Sequence, residues 1–531
     1  MQTGKEVESV LLKRVYPRSS GVLMPITSLH GAYGIGVLGA EAREFISFLD
    51  DAGFRSWQVL PVEHTNMCNS PYKCVSAFAG EPMLIDPDLL LEMELVTLED
   101  IEKRKEGCNN HSVEYEIIRE KQWELLQAAF SRNTDESYLK FNPFWMEEYV
   151  LYIAIAHQFE FKAWYDWPDD KLRCHDKAAV NKFKQDNAEK LKFYRFVQWL
   201  FDISWRKLRA FATERGISIV GDMPIYVAEN SAEVWGNREL FNASADGHFA
   251  AIGGVPPDYF TPEGQCWGNP IYNWKMLKDD DYKWWILRVK ASLERYDVVR
   301  LDHFRAFDSY YSIAGGSVNA IKGKWLKGPG MPLFKALKKE LGDLHLRIIA
   351  EDLGDIGEGV LDLLDKSNLR GMRVLQFGFL GEEMHLPHNY TEACVAYTGT
   401  HDNTTLLAWV FSLTPEDRKK ALFYTGFEGD WYIGGPNCDL VKAFMRTLFM
   451  SSASLAIVPI QDLLGYGADT RINVPGTPSG NWRFRIREGV LYDIDTAWYR
   501  ELHEAYFRID PVTEFAETPE KKDPWKIEYE E

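Results

Sequence analysis

Several carboxylates stand where short apolar runs turn polar, and their spacing limits the chemistry the chain can do. Arg300-Leu301-Asp302-His303 closes the run YDVVRLDHF. Strand alternation would put Arg300 and Asp302 on one face. Glu351 and Asp352 lie near the end of LRIIAEDLG, His401 and Asp402 close ACVAYTGTHD, and Asp222 sits within ISIVGDMPIYV. A buried apolar strand tolerates a carboxylate poorly unless it is paired or hydrogen-bonded. Several of them at equivalent strand ends therefore point to a site. Two carboxyl groups about 5–5.5 Å apart can perform a retaining displacement at a glycosidic carbon, one as nucleophile and one as acid/base. Adjacent strands lie about 4.8 Å apart, so neighbouring ends carrying Asp302 and Glu351 suit that separation. Close carboxylates raise one of the two pKa values, which keeps a general acid protonated at neutral pH. Arg300 beside Asp302 would hold that partner ionised. The alternative is an Arg–Asp–Glu ion network that only ties strand ends together.

The elements that must position these groups are eight β-branched runs bounded by turn residues: 55–63, 81–87, 217–227, 296–304, 346–354, 370–379, 393–402 and 455–464. Continuous apolar runs of this kind read as strands buried on both faces of a parallel sheet. Amphipathic stretches lie between them, among them AEAREFISFLDDAG and MPLFKALKKELGD. The expected fold is α/β, a (β/α)8 TIM barrel whose site lies at the C-terminal ends of the strands. We read 1–531 as a single catalytic barrel with two interruptions. Residues 88–216 read as a helical subdomain inserted after the second strand. Residues 228–280, rich in Gly, Pro, Asn and aromatics, read as long loops over the cleft.

A net charge of −19 excludes clustered phosphate contacts, so neither nucleic acid nor an anionic membrane surface is an expected partner. The first residues lack an apolar core of signal-peptide length, and no run approaches the roughly 18 apolar residues of a transmembrane helix. Seven scattered cysteines with no CxxC pair read as reduced thiols, hence a cytoplasmic setting. His64, Cys68 and Cys74 lack a fourth ligand and a zinc spacing, so no metal is expected. Gly34-Ile35-Gly36-Val37-Leu38-Gly39 is literally GxGxxG, with acidic Glu63 downstream, but SLHGAY separates it from the preceding apolar VLMPI. It therefore reads as a glycine-rich turn into a helix rather than a dinucleotide cradle, and no cofactor is expected. Aromatic content (18 Trp, 25 Tyr, 30 Phe) suits a cleft for sugar rings, although large cores also consume aromatics.

Longer motifs narrow these alternatives. RSSGVLMPITSLHGAYGIGVLG, SPYKCVSAFAGEP, GDMPIYVAENSAEVW, GVPPDYFTPEGQCWGNPIYNW, RLDHFRAF, AEDLG, LPHNY, YTGTHDNTT and PGTPSGNWRFR occur in this order across nearly the whole chain. With them the chain resembles the amylomaltase or disproportionating-enzyme family, the 4-alpha-glucanotransferases of the alpha-amylase clan. The resemblance implies retaining transfer of α-1,4-glucan segments between maltooligosaccharides, without a cofactor. It implies Asp302 as nucleophile, Glu351 as general acid/base and Asp402 as the third acid, which stabilises the transition state. It further implies Asp222, Arg300, His303 and His401 around the transferred glucose. Tyr72, Asp258, Tyr259, Phe260, Gln265 and Trp267 are the implied glucan contacts. Cys74, Glu81 and Thr404 depart from the family's usual residues without touching the three acids. Two other readings share the motifs: an α-glucan hydrolase using water as acceptor, and a catalytically inactive glycan-binding protein. No oligomeric state is implied.

Overall fold

Eight short strands close into a parallel barrel in which sequence neighbours are also spatial neighbours. They are β1 (Ser19–Leu23), β2 (Ser56–Gln58), β3 (Ser218–Met223), β4 (Val298–Leu301), β5 (Ile348–Ala350), β6 (Arg370–Val374), β7 (Cys394–Tyr397) and β8 (Leu455–Pro459). The computed structural model describes residues 16–244, 246–257, 262–477 and 479–510. Inside the barrel, Leu23, Val220, Val298, Ile349, Met372, Val395, Tyr397, Leu455 and Ile457 form a closed apolar plug. Such a barrel is a packed core, not a pore. The intervening residues, such as Ile219, Val299 and Ile348, pack outward with the helices. Two positions beyond Val220, Val298 and Ile349 on the inward face come Asp222, Arg300 and Glu351. The period that builds the core thus carries these polar groups to its upper end.

Seven of the eight expected strands fall on the runs named above; the run 81–87 does not. Its Glu81 and Asp86 side chains accept the backbone N–H groups of Met83 and Asp88, capping a 3-10 turn at Pro82–Leu84 and a helix at Pro87–Glu92. Proline in each first turn favours helix over ladder. The missing strand is β1, whose Ser19, Ser20 and Gly21 give no hydrophobic signal. The barrel needs small residues there: a Cβ on Gly21 would lie 1.9 Å from Ser56 Oγ.

Between β2 and β3 the segment 88–216 carries helices, from Leu98–Lys105 to the long Ala188–Glu214. The last packs on Ala40–Ala52 and on β3, so it also serves as a helix of the barrel. The segment 228–280, expected as loops, is partly a sheet. Its strands Gln265–Pro270 and Ala251–Val255 join Ser309–Ala314 and Gly323–Lys327 in a four-stranded antiparallel sheet, in that order. The glycine-containing strand Ala251–Val255 pairs with Ser309–Ala314, more than fifty residues away, and such a strand escapes a reading based on local periodicity.

The barrel seam joins the two ends of the described chain. β1 pairs with β8 from Ser19↔Leu455 to Leu23↔Pro459. Arg18 donates to the carbonyls of Phe449, Ser451 and Tyr506, and Arg508 to those of Ser19, Phe449 and Ser451. The glycine-rich turn at 34–39 leads into Ala40–Ala52. A Cβ on Gly36 would meet Ile26 O at 1.8 Å, and one on Gly39 the Asp86 carboxylate at 2.6 Å. The Asp86 carboxyl group packs directly against this turn. Among the described residues no helix is long and apolar enough to cross a membrane, and no group of His, Cys, Asp and Glu could hold a metal ion. His64 instead bonds Tyr149 Oη at 2.8 Å.

Candidate functional site

Register brings the first pair together: Asp222 on β3 stands opposite Arg300 on β4. Arg300 Nη1 donates to both Asp222 oxygens at 2.8 Å. Its Nη2 lies 3.0 Å from Asp302 Oδ1. The Asp222 side chain is fully buried and that of Arg300 is 5% exposed, whereas 27% of the Asp302 side chain opens to solvent. A planar guanidinium fork suits this task, because it neutralises a buried carboxylate while orienting a second one.

Glu351 follows β5, the neighbour of β4. Its Oε2 accepts the His303 N–H at 2.7 Å and its Oε1 the Leu353 N–H at 2.9 Å. His303 adopts a left-handed conformation (φ +51°) just after Asp302, and its backbone N–H meets the Glu351 carboxylate. Burial pushes the Glu351 carboxyl well above its ordinary range, and the charge of Asp302 adds to the rise while Arg300 opposes it. Burial also raises Asp302, with Arg300 holding it back. Two neighbouring acids are thus held in unlike surroundings, one gripped by a guanidinium and one by backbone N–H groups.

Tyr72 closes the other side. Its hydroxyl donates to Asp222 Oδ2 at 2.7 Å and lies 2.9 Å from His401 Nε2, with the two rings stacked 5.3 Å apart. Since the phenolic proton goes to the carboxylate, His401 Nε2–H is the donor in the second contact, which fixes the tautomer. Asp402, beyond β7, accepts Asn473 Nδ2–H on Oδ1 at 2.6 Å. The Arg471 guanidinium donates to its carbonyl. Above the strands, Trp267 meets His303 edge-on at 4.9 Å and donates its indole N–H to Gln265 Oε1 at 3.1 Å. His303 Nε2 is buried with no partner among the described residues, and burial pulls its imidazole down to about 3.

A cleft of about 1530 Å3 runs over these groups, and its walls include Tyr72, Gln265, Trp267, Arg300, Asp302, His303, Glu351, His401 and Asp402. Asp222 is not on the wall. It lies beneath Arg300 and Tyr72, where it supports them, and so differs from the sugar-lining position expected of it. Asp258, Tyr259 and Phe260 lie outside the described residues. Sequence reading missed Arg471, Asn473 and Trp482, which come from an irregular segment. Trp482 packs 5.8 Å from Tyr72 and 6.0 Å from His401. Trp482 falls within the PGTPSGNWRFR motif, which gave it no individual role, and Arg471 and Asn473 lie just before that motif in a stretch without periodicity.

Comparison with known proteins shows the family. A family model described as 4-alpha-glucanotransferase matches residues 24–491. A 4-alpha-glucanotransferase of Streptococcus pneumoniae serotype 4 is 41% identical over 503 residues, covering 93% of this chain and 98% of the relative. One of Thermus thermophilus is 41% identical over 508 residues, covering 93% and 99%. Among solved structures, the amylomaltase from Streptococcus agalactiae in complex with acarbose superposes with a TM-score of 0.87 at 37% identity, covering 92% of this chain and 99% of that one. The chain belongs to the 4-alpha-glucanotransferase family.

Proposed function

We propose that the 4-alpha-glucanotransferase activity of this chain is carried by Asp302 as nucleophile, Glu351 as acid/base and Asp402 as the third acid. The observation that carries this reading is the pair of neighbouring strand ends at β4 and β5, with Asp302 gripped by Arg300 and Glu351 by two backbone N–H groups. With Oδ1 of Asp302 engaged by Arg300, Oδ2 forms the bond to the anomeric carbon of the donor glucan. The glycosidic bond breaks as Glu351 gives its proton to the departing 4-oxygen. The acceptor's 4-hydroxyl then returns that proton to Glu351, attacks the anomeric carbon and displaces Asp302, so configuration is retained. Asp402, held by Asn473 and Arg471, accepts hydroxyl groups of the distorted sugar as positive charge develops. His303 and His401 add ring contacts, and Gln265 and Trp267 roof the cleft. The reaction balances with these side chains and two sugars.

Purified protein given maltotriose should yield glucose together with a ladder of longer chains. A gain of reducing ends matching the bonds lost, without longer products, would establish hydrolysis instead. The reading extends to a cytoplasmic location, supported by seven cysteines that are all free thiols. Appearance of the native protein in a culture medium rather than the cell lysate would refute that part.

A further inference from the structure

One aromatic in the cleft has no part in the roles above. Trp325 lies on the edge strand Gly323–Lys327, opposite Tyr311 in register, and is 39% exposed. Its indole is held from within: the Arg305 guanidinium sits 4.0 Å from the ring centroid and the Tyr311 ring meets it edge-on at 5.2 Å. Arg305 is itself tied to Asp355 by an ion pair of 3.5 Å and by a hydrogen bond to the Asp355 carbonyl. The indole is therefore fixed before any ligand arrives. Trp325 lines the same cleft as Asp302 and Glu351, in company with Leu353, Asp355, Phe377 and Leu380. Leu380 is 55% exposed. A rigid aromatic beside partly exposed apolar side chains, continuous with a sugar site, is a surface that needs an occupant.

The arrangement around the acids gives its side. Tyr72, Asp222, Arg300, His401 and Asp402 come from β3, β4, β7 and the loop after β2, and they gather round Asp302. Glu351 accepts the N–H groups of His303 and Leu353. Two residues beyond each come Arg305 and Asp355, which pair with each other while Arg305 clamps Trp325. Trp325 is thereby tied to the Glu351 side. An acid that protonates the departing oxygen stands on the leaving-group side, and by microscopic reversibility the acceptor enters there. We infer that Trp325, clamped by Arg305, is the stacking platform for the acceptor glucan. The inference rests on the assignment of Glu351 as acid/base. An ordered sugar there excludes water from the glucosyl-enzyme, so Trp325 governs how that intermediate divides between transfer and hydrolysis.

The test uses isotope-labelled α-maltosyl fluoride as donor, whose leaving group needs no acceptor-side contact, with unlabelled maltotriose as acceptor. Only labelled products are counted, so that disproportionation of maltotriose does not contribute. The readout is the ratio of transfer product to free maltose. Trp325→Ala and Trp325→Leu should each lower that ratio roughly tenfold, the order expected for loss of one good apolar contact. Trp325→Phe, which keeps an aromatic face, should hold it within about threefold. The leucine variant keeps apolar volume should the alanine variant fold poorly, and a ratio is insensitive to the fraction of active protein. A ratio unchanged in both Ala and Leu variants overturns the inference. So does an equal loss in the Phe variant, which would mark Trp325 as structural. Wild-type protein that makes only maltose would instead overturn the transfer reading itself.

Discussion

Replacing Arg300 with lysine keeps the positive charge and removes the fork. Arg300 Nη1 serves both Asp222 oxygens at 2.8 Å while Nη2 serves Asp302 at 3.0 Å, a span one ammonium group does not cover. The deeper, fully buried Asp222 will retain the lysine, and Asp302 will lose its partner. A hydrogen bond to a charged group contributes about 1.5–3 kcal/mol. At about 1.4 kcal/mol per factor of ten, kcat/KM should fall roughly 10- to 150-fold. The pH profile carries a second signature. Burial already holds the Asp302 carboxyl above its ordinary range, and Arg300 opposes that rise. Weakening Arg300 raises it further, and only the ionised carboxylate attacks. The acid limb must therefore move to higher pH. Initial rates of glucose release from maltotriose across overlapping buffers, with a thermal melt as a folding control, measure both effects. A well-folded variant with an unmoved acid limb and a rate within about threefold of wild type would refute this reasoning.

Three further expectations follow from the same geometry. Glu351→Gln removes the proton donor, so turnover of maltotriose should fall on the order of 10²- to 10⁴-fold, and the alkaline limb, set high by burial, should vanish from the profile; a retained alkaline limb would assign it to another group. Asn473→Ala removes the 2.6 Å contact to Asp402 Oδ1, and because the Asp402 side chain is 46% exposed the loss in kcat should sit near tenfold; steady-state kinetics showing no change would mean Asp402 is held by other groups. His503, buried between Ser20 Oγ (2.6 Å) and the Ala52 carbonyl (2.9 Å), is pulled to about 3 by burial. A histidine neutral when folded but titrating at about 6.5 when unfolded leaves stability intact above that value and drains it as pH falls toward 3. The melting temperature of His503→Gln should therefore depend less steeply on pH over that interval, and equal slopes would count against it.

Legibility in the sequence followed the physics of each element. β4, β5 and β7 were readable because strands buried on both faces must be continuously apolar, and because the polar end of such a run stands out. The pairing of Arg300 with Asp302 followed from alternation alone. β1 was not counted as a strand because its closeness to Ser56 requires serine and glycine, which look like a loop and leave only Val22 and Leu23 of the apolar VLMPI within it. The run 81–87 deceived for the opposite reason. Met83, Leu84 and Ile85 are buried in turns capped by Glu81 and Asp86, so burial without a ladder imitated a strand. The support from Asn473 and Arg471 depends on contacts about seventy residues distant, between irregular segments, where no period exists to be read. Asp222 was recognised as part of the constellation, but only the packing of Arg300 and Tyr72 over it assigns it to the layer below the cleft.

The seam between β1 and β8 sets a timetable for the chain's birth. β1 ends at Leu23 and its partner β8 ends at Pro459, so 436 residues must be added between them (459 − 23). At the usual ribosomal pace of about 5–20 residues per second, that is a wait of roughly 20 to 90 s. Throughout that time β1 has β2 on one side and an unsatisfied edge on the other. Its Ser-Ser-Gly start makes that edge short and weakly hydrophobic, a poor template for pairing between nascent chains. The small residues that hid β1 from a hydropathy reading also suit it to remain unpaired until the last strand emerges.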